Sequence, residues 1–189
     1  MFRQCENYSP LTLYFTEGSK PLELWQLMAT DSKDYELSLI HDTEIDAKVH
    51  QLIANDLSKV HLKCPANFAN GLGLSLPHLV IILKNLNKEF SMEVKALDDK
   101  NRIRRIRVST FQLEKRVTPE ILCLKLDLEP SWNQVVLDLR SLIRKYYITN
   151  FKEVIQITLN PNCCIRRIFL CDQISFSEQN LPAEFKLYK

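Results

Sequence analysis

With 189 residues, a formal net charge of +2, 46% hydrophobic and 25% charged residues, the chain has an ordinary globular composition, which excludes disorder and a fibrous repeat. Its 22.1 kDa mass suits one well-buried domain, and its sequence pI near 8.2 falls short of the basic excess that phosphate-driven nucleic-acid binding needs. The first residues hold no apolar leader core, and the longest apolar run, Leu79 to Leu83, is far below the roughly 20 residues of a membrane span. A cytosolic, soluble protein without a membrane partner is therefore expected.

Short β-patterned runs divided by turn residues dominate the chain. They cover 11–16, 22–26, 57–64, 78–84, 90–97, 102–111, 121–126, 132–139, 154–159 and 163–170, a spacing that predicts an all-β sandwich or barrel. No Gly-, Pro- or Ser-rich linker and no long repeat divides residues 1–189, so a single domain is predicted. Residues 28–56, rich in Asp, Lys and His, are expected to form a long connection containing a strand or short helix. In the run 90–97, Phe90, Met92, Val94 and Ala96 share one face, while Ser91, Glu93 and Lys95 share the other.

Asp98, Asp99, Lys100 and Asn101 suit a tight connection to the next strand, which predicts an antiparallel hairpin. In that strand Ile103 and Ile106 have opposite parity, so both reach the core only across an inserted residue. A β-bulge is thus expected at Arg104 and Arg105. The same I-R-R-I string recurs from Ile165 to Ile168, with the same implication. One short helix is predicted over 139–147, where Leu139, Leu142, Ile143 and Tyr146 fall at i, i+3, i+4 and i+7. Asp138 is its expected N-cap, and Arg140, Arg144 and Lys145 its solvated side.

No catalytic constellation or cofactor fingerprint is present. Gly71 and Gly73 lack the third glycine of a dinucleotide loop, and no Gly-Lys-Ser/Thr follows them, so they are assigned to a turn with positive φ. There is no G-x-S-x-G elbow and no cysteine-protease signature. Adjacent carboxylates in a turn point apart, so Asp98 and Asp99 are expected to stay solvated rather than act as acid and base. The six cysteines form no C-x-x-C pair, and the four histidines keep no tight spacing to them, which implies reduced thiols and no metal site. Trp25 and Trp132 either fill the core, the commoner fate, or stack on a sugar ring.

Local positive charge remains. Lys100, Arg102, Arg104, Arg105 and Arg107 crowd one strand, and Arg166 and Arg167 another. The solvated side of an amphipathic strand accounts for part of this. Clustering of one sign on two strands is nevertheless unusual, because cross-strand like charges repel. The arginine fork pairs bidentately with carboxylates, so acidic protein surfaces, glutamate-rich tails and phosphates are the candidate anions.

Several segments, taken together, carry a family resemblance: GSKPLELW at 18–25, CPA at 64–66, LGLSLPHLVIILKNL at 72–86, LDDKNRIRRIRVSTFQ at 97–112, Arg116-Val117, Trp132-Asn-Gln134, Thr149-Asn150, 162–169, and LPAEFKLY at 181–188. In this order they resemble the cilia- and flagella-associated protein 20 family, inner-junction proteins of axonemal doublet microtubules. The resemblance implies a jelly-roll-like antiparallel β-sandwich that is non-enzymatic, needs no cofactor and binds where the B-tubule wall closes on the A-tubule. Implied partners are α- and β-tubulin, the parkin co-regulated protein and further copies of the chain. The implied location is the cytoskeleton of the axoneme and basal body, with the nucleus left open. Tubulin's acidic surface suits the arginine strands, which makes Arg102, Arg104, Arg105, Arg107, Arg166 and Arg167 candidate partner-binding residues. Arg105 and Arg167 are alternatively paired inside the bulges.

Departures from the family pattern are also visible. Ser131 and Ile148 stand where the family has glycine, residues 28–62 match poorly, and the chain stops at Lys189 directly after FKLY. Isoleucine disfavours left-handed geometry, which puts the helix end in question. These departures imply a diverged paralogue serving a specialised flagellum such as that of sperm. Two rival functions stay in view: a carbohydrate-binding sandwich using Trp25 and Trp132, and an RNA-associated nuclear protein using arginine strands that lack interleaved aromatics.

Overall fold

The computed structural model describes residues 10–31, 33–66 and 71–173. Cys5 and the family segment at 181–188 lie outside these. In chain order the strands are β1 (Leu11–Phe15), β2 (Gln26–Ala29), β3 (Tyr35–Asp42), β4 (Ala47–Ala54), β5 (Val60–Cys64), β6 (His78–Asn85) and β7 (Ser91–Asp98). They continue with β8 (Ile103–Ser109), β9 (Arg116–Val117), β10 (Ile121–Lys125) and β11 (Ser131–Asp138), then helix α1 (Leu139–Tyr147), β12 (Phe151–Leu159) and β13 (Cys163–Cys171).

These strands form two sheets, as the spacing of β-patterned runs predicts. The first runs β11-β6-β13-β4-β3, with β1 also paired to β13; the second runs β2-β5-β12-β7-β8-β10-β9. The strand pairings are antiparallel except for β8 with β10, which is parallel. Between the sheets lies a core that includes Leu52, Leu62, Leu83, Met92, Ile106, Leu122, Ile157 and Ile165. Full burial of one such side chain is worth roughly 1.5–3 kcal/mol. Strand β6 reads as the unbroken apolar run LVIIL because it is covered on both faces: Leu79, Ile81 and Leu83 enter the main core, while Ile82 and Val80 enter two smaller outer clusters.

Several local expectations hold. Helix α1 occupies Leu139–Tyr147, and the Asp138 carboxylate accepts a 2.9 Å hydrogen bond from the Ser141 N–H. Gly71 and Gly73 have φ of 74° and 65°, and a Cβ on Gly71 would sit 2.7 Å from the Ile155 side chain and 2.8 Å from its carbonyl oxygen. Both tryptophans are buried. The Trp25 indole donates to the Leu13 carbonyl at 2.9 Å, and the Trp132 indole to Asp42 Oδ1 at 3.2 Å.

Others need correction. Residues 28–56 do not form a loose connection but hold the paired strands β3 and β4, eight residues each. The run 22–26 gives a turn, with β2 starting only at Gln26. The bulge is present in β13, where the register against β6 shifts between Ile165 and Arg167 and both Ile165 and Ile168 enter the core. It is absent from β8: pairing with β7 is regular, Ile103 is 52% exposed, and Arg104 takes the inward position.

Candidate functional site

The hairpin that carries most of the arginines turns on Asp98. Its backbone accepts from Asn101 N–H at 3.0 Å, and Asn101 adopts φ 56° to close the turn. Asp98 Oδ1 accepts from the N–H groups of Lys100 at 3.0 Å and Arg102 at 2.8 Å, while Oδ2 receives Arg104 Nε and Nη2, both at 2.8 Å. The carboxylate is fully buried rather than solvated. Burial pushes its pKa up, but the Arg102 N–H and the Arg104 side chain outweigh it and hold the group below the usual carboxylate range. Arg104 also lies 4.3 Å over the Tyr147 ring and donates through Nη1 to the Pro119 carbonyl. A buried arginine with its charge and donors engaged is a structural element, and Arg104 presents almost no surface to a partner.

On the outer face, regular register sets Arg105 opposite Lys95 and Arg107 opposite Glu93. Glu93 receives both arginines: Arg105 binds Oε1 and Oε2 at 3.0 and 2.9 Å, and Arg107 binds Oε2 through Nε at 3.2 Å and Nη2 at 2.9 Å. Burial raises the Glu93 pKa, but hydrogen bonds and charge from the two guanidiniums outweigh it and hold it low. Lys63 on β5, Lys95 on β7 and His61 share this face. Burial, then the charges of Lys63 and Lys95, push the His61 imidazole below its ordinary value.

The six candidate arginines therefore do not form one surface. Arg166 and Arg167 are 3% exposed, with Arg167 stacked 3.9 Å from the Phe15 ring centroid. Arg105, a partner-binding candidate or alternatively a residue paired inside a bulge, is half-exposed on a regular strand and is paired there, with Glu93. Arg102, Arg105 and Arg107 keep exposed surface, and Arg102 forms no ion pair with any described residue. Glu93 is the residue that pattern reading missed, being assigned only to a polar face. Counting residue pairs back from the Asp98 turn would have set it opposite Arg107.

A second buried carboxylate, Asp42, organises the turn between β3 and β4. It accepts from Glu44 N–H at 3.0 Å and from Lys84 Nζ at 2.7 Å, besides the Trp132 indole. Burial raises its pKa, but the Lys84, Trp132 and Glu44 donors bring the net value below the ordinary one. Among the described residues no group of three or more His, Cys, Asp or Glu is placed to hold a metal, and no helix is long and apolar enough to cross a membrane.

These contacts define a β-sandwich scaffold that pairs three of its six clustered arginines with two of its own carboxylates and leaves one sheet face basic. The chain belongs to the CFA20 domain family, whose model matches residues 1–189. It is 39% identical over 188 residues to cilia- and flagella-associated protein 20 of Chlamydomonas reinhardtii, an alignment covering 100% of this chain and 97% of that protein. Identity is 37% to the proteins of that name in Caenorhabditis elegans and Paramecium tetraurelia, covering 100% of this chain and 91% and 96% of theirs.

Proposed function

We propose that the chain is a non-enzymatic structural protein of cilia or flagella that binds the doublet microtubule and bridges A- and B-tubule protofilaments at the inner junction. Its partners in this role are α- and β-tubulin, the parkin co-regulated protein and further copies of itself, in the axoneme and basal body. The observation that carries the proposal is the full-length match to proteins named for cilia and flagella. A two-sheet scaffold whose buried Asp98 and Arg104 fix one another suits a static bridge. Of the six arginines, Arg102, Arg105 and Arg107 have the exposure to meet an acidic lattice, whereas Arg104, Arg166 and Arg167 serve the fold. The glycine departures at Ser131 and Ile148 support a diverged member used in a specialised flagellum such as that of sperm.

Cosedimentation with purified doublet microtubules tests this. The protein should pellet with doublets near physiological salt and be released as salt approaches about 1 M, where the Debye length falls to about 3 Å. Arg102→Glu combined with Arg107→Glu should weaken pelleting at least about tenfold if the arginine face makes the contact. A tagged chain that never colocalises with axonemes, basal bodies or centrioles would sink the proposal.

A further inference from the structure

The outer face of the second sheet holds more than a scatter of charge. A groove of about 470 Å³ crosses strands β5, β12, β7 and β8, with Ser91, Glu93 and Thr158 among its lining and His61, Lys95 and Arg107 beside them. One end is formed by Phe111, a residue 45% exposed, and by Leu57. Both residues also line a cleft of about 710 Å³ among the loops at that end of the sandwich. An exposed aromatic at the junction of two concavities is a natural apolar anchor.

The polar part is prepared for anions. Lys95 and Arg107 line the groove beside the Glu93 carboxylate, Arg105 flanks it on β8, and Lys63 sits on the far side of β12, opposite Thr158. Glu93 engages only Nε and Nη2 of each arginine, and no hydrogen bond to a described residue uses either Nη1. With side-chain exposures of 41% and 44%, Arg105 and Arg107 keep the outer edges of their forks open to solvent. The ion pairs hold the forks in place beforehand, which lowers the entropy lost when a carboxylate binds. Farther along, Ser91 Oγ lies 3.1 Å from Asn160 Oδ1, and the Gln156 amide donates to Thr158 Oγ1 at 3.0 Å. Hydroxyls and amides both donate and accept, as the alternating groups of a peptide backbone require.

We infer that this groove docks an extended acidic peptide segment, with an apolar residue seated at Phe111 and Leu57 and the following carboxylates on Lys95, Arg105, Arg107 and Lys63. A single-stranded nucleic acid fits less well, because among the described residues lining the groove Phe111 is the only Phe, Tyr or Trp, with His61 the one further ring, and base stacking uses a series of rings. Docking of a peptide is independent of whether the chain sits on doublet microtubules, and it is measured without them.

Fluorescence anisotropy with three labelled probes tests the inference. The probes are Leu-Phe-Gly-Glu-Glu-Glu-Glu, the same peptide with glutamine for every glutamate, and an oligouridine RNA. The acidic peptide should bind the intact chain with at least tenfold higher affinity than the glutamine peptide, and tighter than the RNA. Lys95→Glu and Arg107→Glu should each weaken it about tenfold, and Phe111→Ala about fivefold. Lys95 has no ion pair with a described residue, so its variant keeps the test valid should Arg107→Glu disturb the sheet; circular dichroism checks both. Absence of binding at about 1 mM peptide in low salt, affinity unchanged in Lys95→Glu and Phe111→Ala, or tighter binding of RNA would each overturn the inference.

Discussion

The string Ile-Arg-Arg-Ile occurs twice and meets two fates, and in β8 the outcome rests on a single counter-ion. In β8, Arg104 points inward because Asp98 waits at the base of the hairpin, two hydrogen bonds at 2.8 Å away. Ile103 is then free to lie outside, and the strand stays regular. In β13, both isoleucines are needed between the sheets and the backbone yields a bulge. A third single-residue feature is Ile148, which ends α1 at φ 55°, ψ 35° with its N–H on the Arg144 carbonyl at 3.2 Å. Left-handed geometry costs a non-glycine residue about 1–2 kcal/mol, and a side chain that is 90% exposed recovers little of it by packing. Ile148→Gly should therefore raise unfolding free energy by about 1 kcal/mol in urea melts, with a Tm gain of about 2–4 °C for a chain of this size. Ile148→Ala, which keeps the Cβ, should not match that gain; equal gains would refute the strain account.

Among the elements, those with one face buried along their whole length were legible, and those that change face were not. The alternation of Phe90, Met92, Val94 and Ala96 foretold β7, and the i, i+3, i+4, i+7 pattern foretold α1. Strand β4 defeats such reading because Ala47 and Val49 join an outer cluster with Trp132, whereas Leu52 and Ala54 join the main core. Its buried face switches midway, so no single period shows. Strand β3 is an edge, half-exposed on both sides, and looks like a polar loop. The candidate site was legible as charge but not as pairing: residue types located the arginines, while only register revealed that Asp98 and Glu93 engage three of the six. What holds the β3–β4 turn in place is likewise one carboxylate. Asp42→Ala would strand the Trp132 indole and leave the Lys84 ammonium with only Glu44 Oε2 at 3.2 Å, so a loss of about 2 kcal/mol is expected. Tryptophan emission should shift to the red as water reaches Trp132. Unchanged emission with unchanged stability would show that the turn is held by its apolar contacts alone.

At the scale of the whole molecule, charged side chains fasten turns and strands to one another, from the exposed surface to the interior. Asp99 accepts from the Asn150 side chain at 2.8 Å, so the hairpin at 97–112 is fastened to the residues that follow α1. Asp98 with Arg104, Glu93 with Arg105 and Arg107, and Asp42 with Lys84 add three carboxylates whose net shifts are downward despite burial. The sign of their effect follows from proton counting. In the unfolded chain these groups take up protons near pH 4, whereas in the folded chain they resist until lower pH, so the unfolded state binds more protons across that interval. Their contribution is complete at neutral pH, declines as pH falls below about 5, and is gone once the folded groups protonate. Urea midpoints measured from pH 7 to pH 2 should stay level at first and then fall steeply below about pH 4.5. Asp98→Asn, which leaves Arg104 buried without its partner, should cost about 3 kcal/mol at pH 7 and show a shallower acid slope, because one titrating group has been removed. A variant slope as steep as that of the parent chain would mean that the acid sensitivity arises elsewhere.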